Sequence, residues 1–288
     1  MHRRPDRLLG TALMACVPAI GLLLAFGPAA GASTTSVART APSAREIAAA
    51  RTFIEHLAVG QHGTDHRVAG HASRIKGLTQ VESSNWSGYA DTGSGFSTVT
   101  AKWTEPSATC GSALSLAAFW VGIDGFSSDS VEQDGTLIEC DGGTPFYFTW
   151  WEMYPSNDVQ VVGETLEPGD AITAKVVRTG TSYKLAVTDS TNPANSFSTT
   201  QTCSDCANSS AEWIAEAPSS SSGVEPLAHF SLFTVRAATV KTTSESGVIS
   251  SFTDDEITMV DADGNVQAQP GPLSTTGKRF KVTWKRST

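Results

Sequence analysis

Apolar and polar residues alternate with a period of two through most of this 288-residue chain. From about residue 81 onward such runs recur at short intervals, separated by Gly, Ser, Asp and Pro, with almost no helical periodicity. In 97–103 the alternation puts Val99, Ala101 and Trp103 on one face, because successive strand side chains point to opposite sides. Segment 116–121 (LAAFWV) is an unbroken apolar run too short for an ordinary helix, which predicts a fully buried strand. Segment 146–154 (FYFTWWEMY) predicts an aromatic one. Gly122, Asp124 and Gly125 supply turn chemistry after the apolar run. A short strand follows in which Val131 and Gln133 share a face opposite Glu132, and Asp134-Gly135 reads as the turn that closes it. Further strands are predicted at 159–162, 171–178, 183–189, 197–201, 211–215, 230–235, 248–252, 257–260 and 279–284, with the serine-rich 219–222 as a loop. Regular short strands between turn signals predict an all-β fold, an antiparallel two-sheet sandwich.

The N-terminus has a different pattern. Arg3, Arg4 and Arg7 precede a mostly apolar stretch, 8–26, and Ala30-Gly31-Ala32 resembles a cleavage site, so 1–32 reads as a secretory signal peptide. Pro18 and Pro28 interrupt the stretch and argue against a membrane anchor. The twin arginines fit a twin-arginine signal poorly, which leaves general secretion.

Charge divides what remains. Residues 33–80 carry a formal +3, whereas 81–288, with 11 basic and 25 acidic residues, carry −14. The expected organisation is therefore a leader or propeptide (33–80) joined to one acidic catalytic domain (81–288), long enough for a sizeable core. That acidity argues against nucleic acid as a partner and suits an extracellular, acidic setting, with no membrane contact once the signal is removed. The domain is expected to be a monomer.

In the leader, 43–60 has helical character: Ser43 with Glu46 forms a capping box, Ile47, Phe53, Ile54 and Leu57 make an apolar stripe, and Gly60 ends it. Four of the six histidines, His56, His62, His66 and His71, lie in or after this helix. One reading is a flexible polar leader. The other is an inhibitory propeptide held by the acidic body, whose histidines charge as pH falls. Protonating the leader alone would tighten its grip. Release in acid therefore needs the body's carboxylates neutralised, or buried histidines in the leader helix becoming charged.

Cys16 leaves with the signal, and Cys110, Cys140, Cys203 and Cys206 are an even set in a secreted chain, which predicts two disulfides. Of three connectivities, Cys110–Cys140 with a local Cys203–Cys206 is favoured. The first closes a loop of about 30 residues and contributes ~3–4 kcal/mol. A redox or zinc role for the CxxC lacks a second CxxC and a nearby histidine, so no metal and no cofactor is expected.

On a strand, Ala211–Glu216 (AEWIAE) places Glu212, Ile214 and Glu216 on one face and Trp213 and Ala215 on the other, a pattern ordinary for a half-exposed cleft. No G-x-S-x-G elbow and no HExxH occurs, and His229 is the only histidine of the body, without an evident serine partner. Carboxylates and amides remain, a chemistry that works with activated water.

Asn85-Trp86-Ser87-Gly88, then WVGIDG at 120–125, Gln133, WWEMYP at 150–155, Gly169-Asp170 and AEWIAE at 211–216 occur in an order that resembles the glutamic peptidases, or eqolisins, across about residues 82–240. The resemblance implies a secreted, acid-active, metal-independent endopeptidase on a concanavalin-like, jelly-roll sandwich, made with a removable propeptide and insensitive to pepstatin. Its partners would be polypeptide substrates and its own propeptide. It carries the catalytic glutamine onto Gln133 and the catalytic glutamate onto Glu216 rather than Glu212. Glu152 corresponds to a cleft position that orients water or binds substrate, against a structural role. Trp86, Trp120 and Trp150 are candidates to line the cleft, and Asp124 is expected to fix the turn. Phe148 stands where many members carry an acid, and WWEMYP where many read WYEWYP, which bears on subsite preference. A retaining glycosidase using Glu152 with Glu216 or Glu212, or a carbohydrate-binding module with Trp86 and Trp150 as stacking platforms, are the alternatives on such a sandwich. Processing near residues 76–82 is expected from the change of charge.

Overall fold

Alternation becomes strand along most of the chain, in a computed structural model that describes residues 41–59, 73–75 and 78–288, with 73–75 described by backbone alone. Strands of five or more residues begin with β1 (Leu78–Ser83), β2 (Trp86–Thr92), β3 (Phe96–Thr104), β4 (Ser115–Asp124) and β5 (Val131–Asp141). They continue with β6 (Thr144–Tyr154), β7 (Asn157–Gly163), β8 (Ala171–Thr179), β9 (Ser182–Asp189) and β10 (Phe197–Thr202). The last are β11 (Ser210–Glu216), β12 (Phe233–Thr242), β13 (Thr253–Val260), β14 (Val266–Pro270) and β15 (Phe280–Trp284).

The first sheet has the order β7–β6–β5–β4–β11–β2–β13–β1, antiparallel except where β1 runs parallel to β13. The second has the order β10–β9–β8–β3–β12. Strand β12 serves both: residues 233–235 pair with β15, and from Arg236 it pairs with β3. A bulge with Ala237 at φ 52° makes the change of sheet.

The main core lies between the sheets. Val99, Ala101 and Trp103 of β3 meet Phe119, Val121 and Trp213 of the first sheet there, on the face the alternation predicted. A second apolar cluster covers the other face of the first sheet: Trp86, Trp120, Leu137, Phe148, Trp150 and Ile214. Ala50, Ile54, Leu57 and Val59 of the leader complete that cluster, so 41–59 is packed on the body and is no flexible leader. Residues 41–288 form one unit.

Asp134-Gly135 is not a turn. β5 runs straight through it to Asp141, and the hairpin is made by Gly142 and Gly143, both at positive φ. Asp134 is buried between the sheets, where its carboxylate accepts from the backbone N–H of Lys175 (3.1 Å) and of Ala186 (2.6 Å) on the opposite sheet. A Cβ at residue 135 would lie 2.1 Å from the Phe119 carbonyl oxygen, so glycine lets β4 approach. The same dipeptide that signals a turn here serves close packing.

Helix α1 (Ala44–Ile54) has the predicted capping box but ends six residues before Gly60, because 57–59 extend into the body. Gly60, His62, His66, His71 and the signal segment 1–32 lie outside the described residues. Segment 248–252 is a 3₁₀ turn (Ile249–Ser251) rather than a strand: buried Ile249 anchors it, and Ser251 Oγ accepts the Val248 N–H at 3.1 Å. Segment 230–235 is broken at 231–232, and 219–222 contains a short strand, Ser219–Ser220, paired with Gly223–Val224. Cys110–Cys140 and Cys203–Cys206 are the disulfides, at Cα separations of 5.3 and 5.8 Å. Among the described residues no helix is long and apolar enough to cross a membrane.

Candidate active site

Strand parity and register together build the site. Gln133 on β5, Glu152 on β6, and Glu212 and Glu216 on β11 all point to the outer face of the first sheet, the side of Trp120, Leu137 and Ile214. Gln133 lies opposite Gly122 of β4 and directly beside Glu152 of β6. Glu216 flanks β4 from the other side, opposite Ala118. Trp120 sits between those two positions along β4. Gly122 keeps this row close: a Cβ there would come within 2.9 Å of the Trp120 ring and 3.3 Å of the Gln133 Cβ.

Gln133 Nε2 and Glu216 have defined partners in this row. Gln133 Nε2 donates to Glu152 Oε2 at 2.7 Å and to the Val59 carbonyl oxygen at 2.6 Å. The Val59 carbonyl oxygen can only accept, so the amide must present its nitrogen there. Gln133 Oε1 is buried and has no hydrogen-bond partner among the described residues. Glu216 accepts from Trp120 Nε1 at 2.8 Å on one oxygen and from Asn85 Nδ2 at 3.2 Å on the other. Donors aimed at both oxygens stabilise a carboxylate.

Its neighbours are different. Burial pushes the Glu152 carboxyl well above the usual carboxylate range, against the Gln133 hydrogen bond, and the nearby charge of Glu216 adds to the rise. Burial likewise pushes Glu212 up, with Asp124 and Glu132 contributing as like charges. Neither Glu212 oxygen has a hydrogen-bond partner among the described residues. Two carboxyls of the row are thus held toward the protonated form, and the remaining one, Glu216, accepts one hydrogen bond on each oxygen.

Glu212, Ile214 and Glu216 share a face as expected, but all three are fully buried rather than half-exposed. Ile214 packs in the cluster that the leader residues Ala50, Ile54, Leu57 and Val59 complete. Trp86, Trp120 and Trp150 lie on this face, and Trp86 meets Trp120 edge to face at 5.0 Å. Asp124 fixes the turn: at φ 69° its carboxylate accepts from the backbone N–H groups of Asn208 (2.6 Å) and Ser209 (2.7 Å). His229 stacks on Trp284 at 3.9 Å. His56 of the leader is exposed, so it is not a buried histidine waiting to be charged. Among the described residues, Glu132 groups with Cys203 and Cys206, but both sulfurs are spent in the disulfide and offer no thiolate. Two participants went unread in the sequence. Asn85 stood in the motif without a role, and Val59 takes part through its backbone carbonyl, which leaves no side-chain signature.

One face of the first sheet of this β-sandwich thus carries both an amide bound to a peptide carbonyl and a carboxyl group held by two donors. The chain belongs to the peptidase A4 family, which matches residues 84–283, and is a peptidase of the glutamic (eqolisin) group. It is 28% identical to aspergillopepsin-2 of Aspergillus niger over 237 residues, 73% of this chain and 81% of that protein. It is 33% identical to scytalidopepsin B of Scytalidium lignicola over 192 residues, 64% of this chain and 72% of that one. Among solved structures, scytalido-glutamic peptidase with a transition-state analogue inhibitor superposes with a TM-score of 0.60 at 26% identity, covering 70% of this chain and 98% of that one. Aspergilloglutamic peptidase from Aspergillus niger superposes with a TM-score of 0.52 at 25% identity, covering 59% and 99%. The glycosidase and carbohydrate-module readings find no support in these relatives.

Proposed function

We propose that this peptidase is an acid-active endopeptidase in which Gln133 and Glu216 hydrolyse peptide bonds without a metal. The observation that carries the reading is the 2.6 Å hydrogen bond from Gln133 Nε2 to a peptide carbonyl. An amide N–H already bound to such an oxygen is placed to stabilise the negative charge that develops there. Glu216 as carboxylate takes a proton from a water whose oxygen adds to the carbonyl carbon, and then delivers it to the departing nitrogen. Gln133 Oε1, which has no hydrogen-bond partner among the described residues, is the acceptor that orients this water. Glu152 fixes the amide. Its carboxyl occupies one Nε2 proton and so directs the other at the substrate.

A carboxylate base that works without a metal or a histidine suits catalysis in acid. On this reading the chain is exported with 1–32 as its signal, acts as a monomer and is unaffected by pepstatin. The leader is an intramolecular inhibitor: α1 seals the cleft, Arg51 pairs with Glu164 at 2.6 Å, and Val59 occupies Gln133.

Digestion of acid-denatured haemoglobin at pH 3–4, with pepstatin present, tests the proposal. Gln133→Ala and Glu216→Gln should each lose about 10²-fold or more, with wild-type circular dichroism. Either variant digesting at near wild-type rate would overturn it.

A further inference from the structure

A second cluster of reactive groups lies on the opposite face of β5 from Gln133. Glu132 pairs with Ile123 of β4 and Met153 of β6, both in the inter-sheet core, and it is fully buried. Neither of its oxygens makes a hydrogen bond among the described residues. A carboxylate oxygen of Glu132 and the sulfurs of Cys203 and Cys206 all lie within 4.8 Å of one another. Both cysteines are half-exposed and line a groove of about 350 Å³ with Ser128, Ser130, Pro155 and Ala207. Asp129 and Asp205 also line this groove, and Asp205 Oδ1 lies 3.6 Å from Cys203 Sγ. The other disulfide differs: Cys140 is fully buried, and its bond to Cys110 spans a sequence separation of 30 rather than 3. The short ring constrains the unfolded chain less, so less is lost when it opens.

We infer that Cys203–Cys206 is a thiol-exchange site, at which a small cationic thiol reduces the disulfide and Glu132 protonates the sulfur that leaves. This chemistry is independent of the Gln133/Glu216 reading. The Asp205 charge turns an incoming thiolate away from Cys203, so the thiolate sulfur bonds to Cys206 Sγ. The Cys203–Cys206 bond breaks with its electron pair on Cys203 Sγ, which takes the Glu132 proton. A second thiolate then bonds to the sulfur of the first, which releases a small-molecule disulfide and leaves Cys206 as a thiolate that solvent protonates. Two small thiols are oxidised, one protein disulfide is reduced, and solvent restores the Glu132 proton. Burial, and then the charge of Asp124, hold the Glu132 carboxyl well above the usual carboxylate range, while nearby Ser130 and Arg178 pull the other way. Tyr183 and Glu212 are the further titratable groups that its charge reaches. Glu132 therefore keeps a proton to give at pH values where an ordinary carboxyl has lost it. The acidic lining of the groove favours a positive charge beside the thiol.

Treating the full-length protein with cysteamine, quenching with N-ethylmaleimide at intervals and mapping the labelled peptides by mass tests this. Cys203 and Cys206 should open at least about tenfold faster than Cys110 and Cys140, and early samples should carry cysteamine on Cys206 with Cys203 labelled. Mercaptoacetate, an anionic thiol, should react about threefold more slowly at equal thiolate concentration. Glu132→Gln keeps the shape of the neutral acid without a proton to transfer, and should slow opening at least about tenfold. Divided by thiolate concentration, the wild-type rate should fall between about pH 5 and pH 9 as Glu132 ionises, and that of the variant should stay level. Equal opening of the two disulfides, cysteamine first on Cys203, mercaptoacetate reacting as fast as cysteamine, or a variant with the wild-type rate and pH profile would overturn the inference. Should the variant not fold, the wild-type pH profile decides: a level one overturns the role of Glu132.

Discussion

Asp91 offers a sharp test of how this fold depends on acid. It sits in β2 directly opposite Asp254 of β13, is fully buried, and neither of its oxygens has a hydrogen-bond partner among the described residues. Burial, and then the charges of Asp254 and Asp255, push its carboxyl from 3.8 up to about 9. The folded value lies above the unfolded one. The neutral carboxyl therefore contributes stability that is fully present below pH ~3.8 and is lost as pH rises toward 9. At about 1.36 kcal/mol per pH unit, this one group costs the fold about 4 kcal/mol between pH 4 and 7. That is an upper figure, because local opening would hydrate the charge. Total stabilities of domains are about 5–15 kcal/mol, so the loss is substantial. Glu105 and Glu139, pushed up to about 8 and about 7 chiefly by burial, act with the same sign. Asp91→Asn removes the titration while keeping the shape. It should unfold in urea within about 1 kcal/mol of wild type at pH 4 and be more stable than wild type by up to about 4 kcal/mol at pH 7. Tryptophan fluorescence at both pH values measures this. Parallel stability curves for the two proteins would refute the argument.

Glu152→Ala should lower kcat about tenfold by freeing the Gln133 amide to turn, since one buried hydrogen bond of ~1–1.5 kcal/mol is lost. Glu152→Gln keeps an acceptor and should recover most of that rate in the haemoglobin assay. Ile54→Asp puts a charge where the leader is fully buried; the separated leader carrying it should inhibit the body at least ~30-fold less than the natural leader at pH 6, by inhibition titration. Replacing Cys110 and Cys140 together by serine opens a loop with a sequence separation of 30 and should cost about 3–4 kcal/mol in urea unfolding at pH 4.

Period-two alternation told the strands and their faces, because which side a residue takes is a local property of an extended chain. It put Trp103 in the inter-sheet core and Gln133 opposite Glu132, and the structure agrees. The capping box of α1 and both cysteine pairs were legible for the same reason: their signals lie within a few residues or in simple parity. β1, β2 and β14 were missed and 248–252 misread: β1 is only half-buried, β2 (WSGYADT) is buried on both faces and so shows no alternation, β14 is five residues long, and an apolar residue can as well anchor a turn.

Local chemistry alone decided too little at the site. Asp134-Gly135 carries a turn signature, yet it bridges two sheets, because the partners of its carboxylate are backbone groups on β8 and β9 about 40–50 residues away. Parity could put Gln133 and Glu216 each on a face, but whether it was the same face depended on the register of β5, β4 and β11, which only non-local pairing sets. Chain order and residue type determined the family and the side chains that could do its chemistry. That the leader packs on the body and hands the Val59 carbonyl to Gln133 was decided in three dimensions, since a backbone oxygen is the same in every residue until the fold chooses its donor.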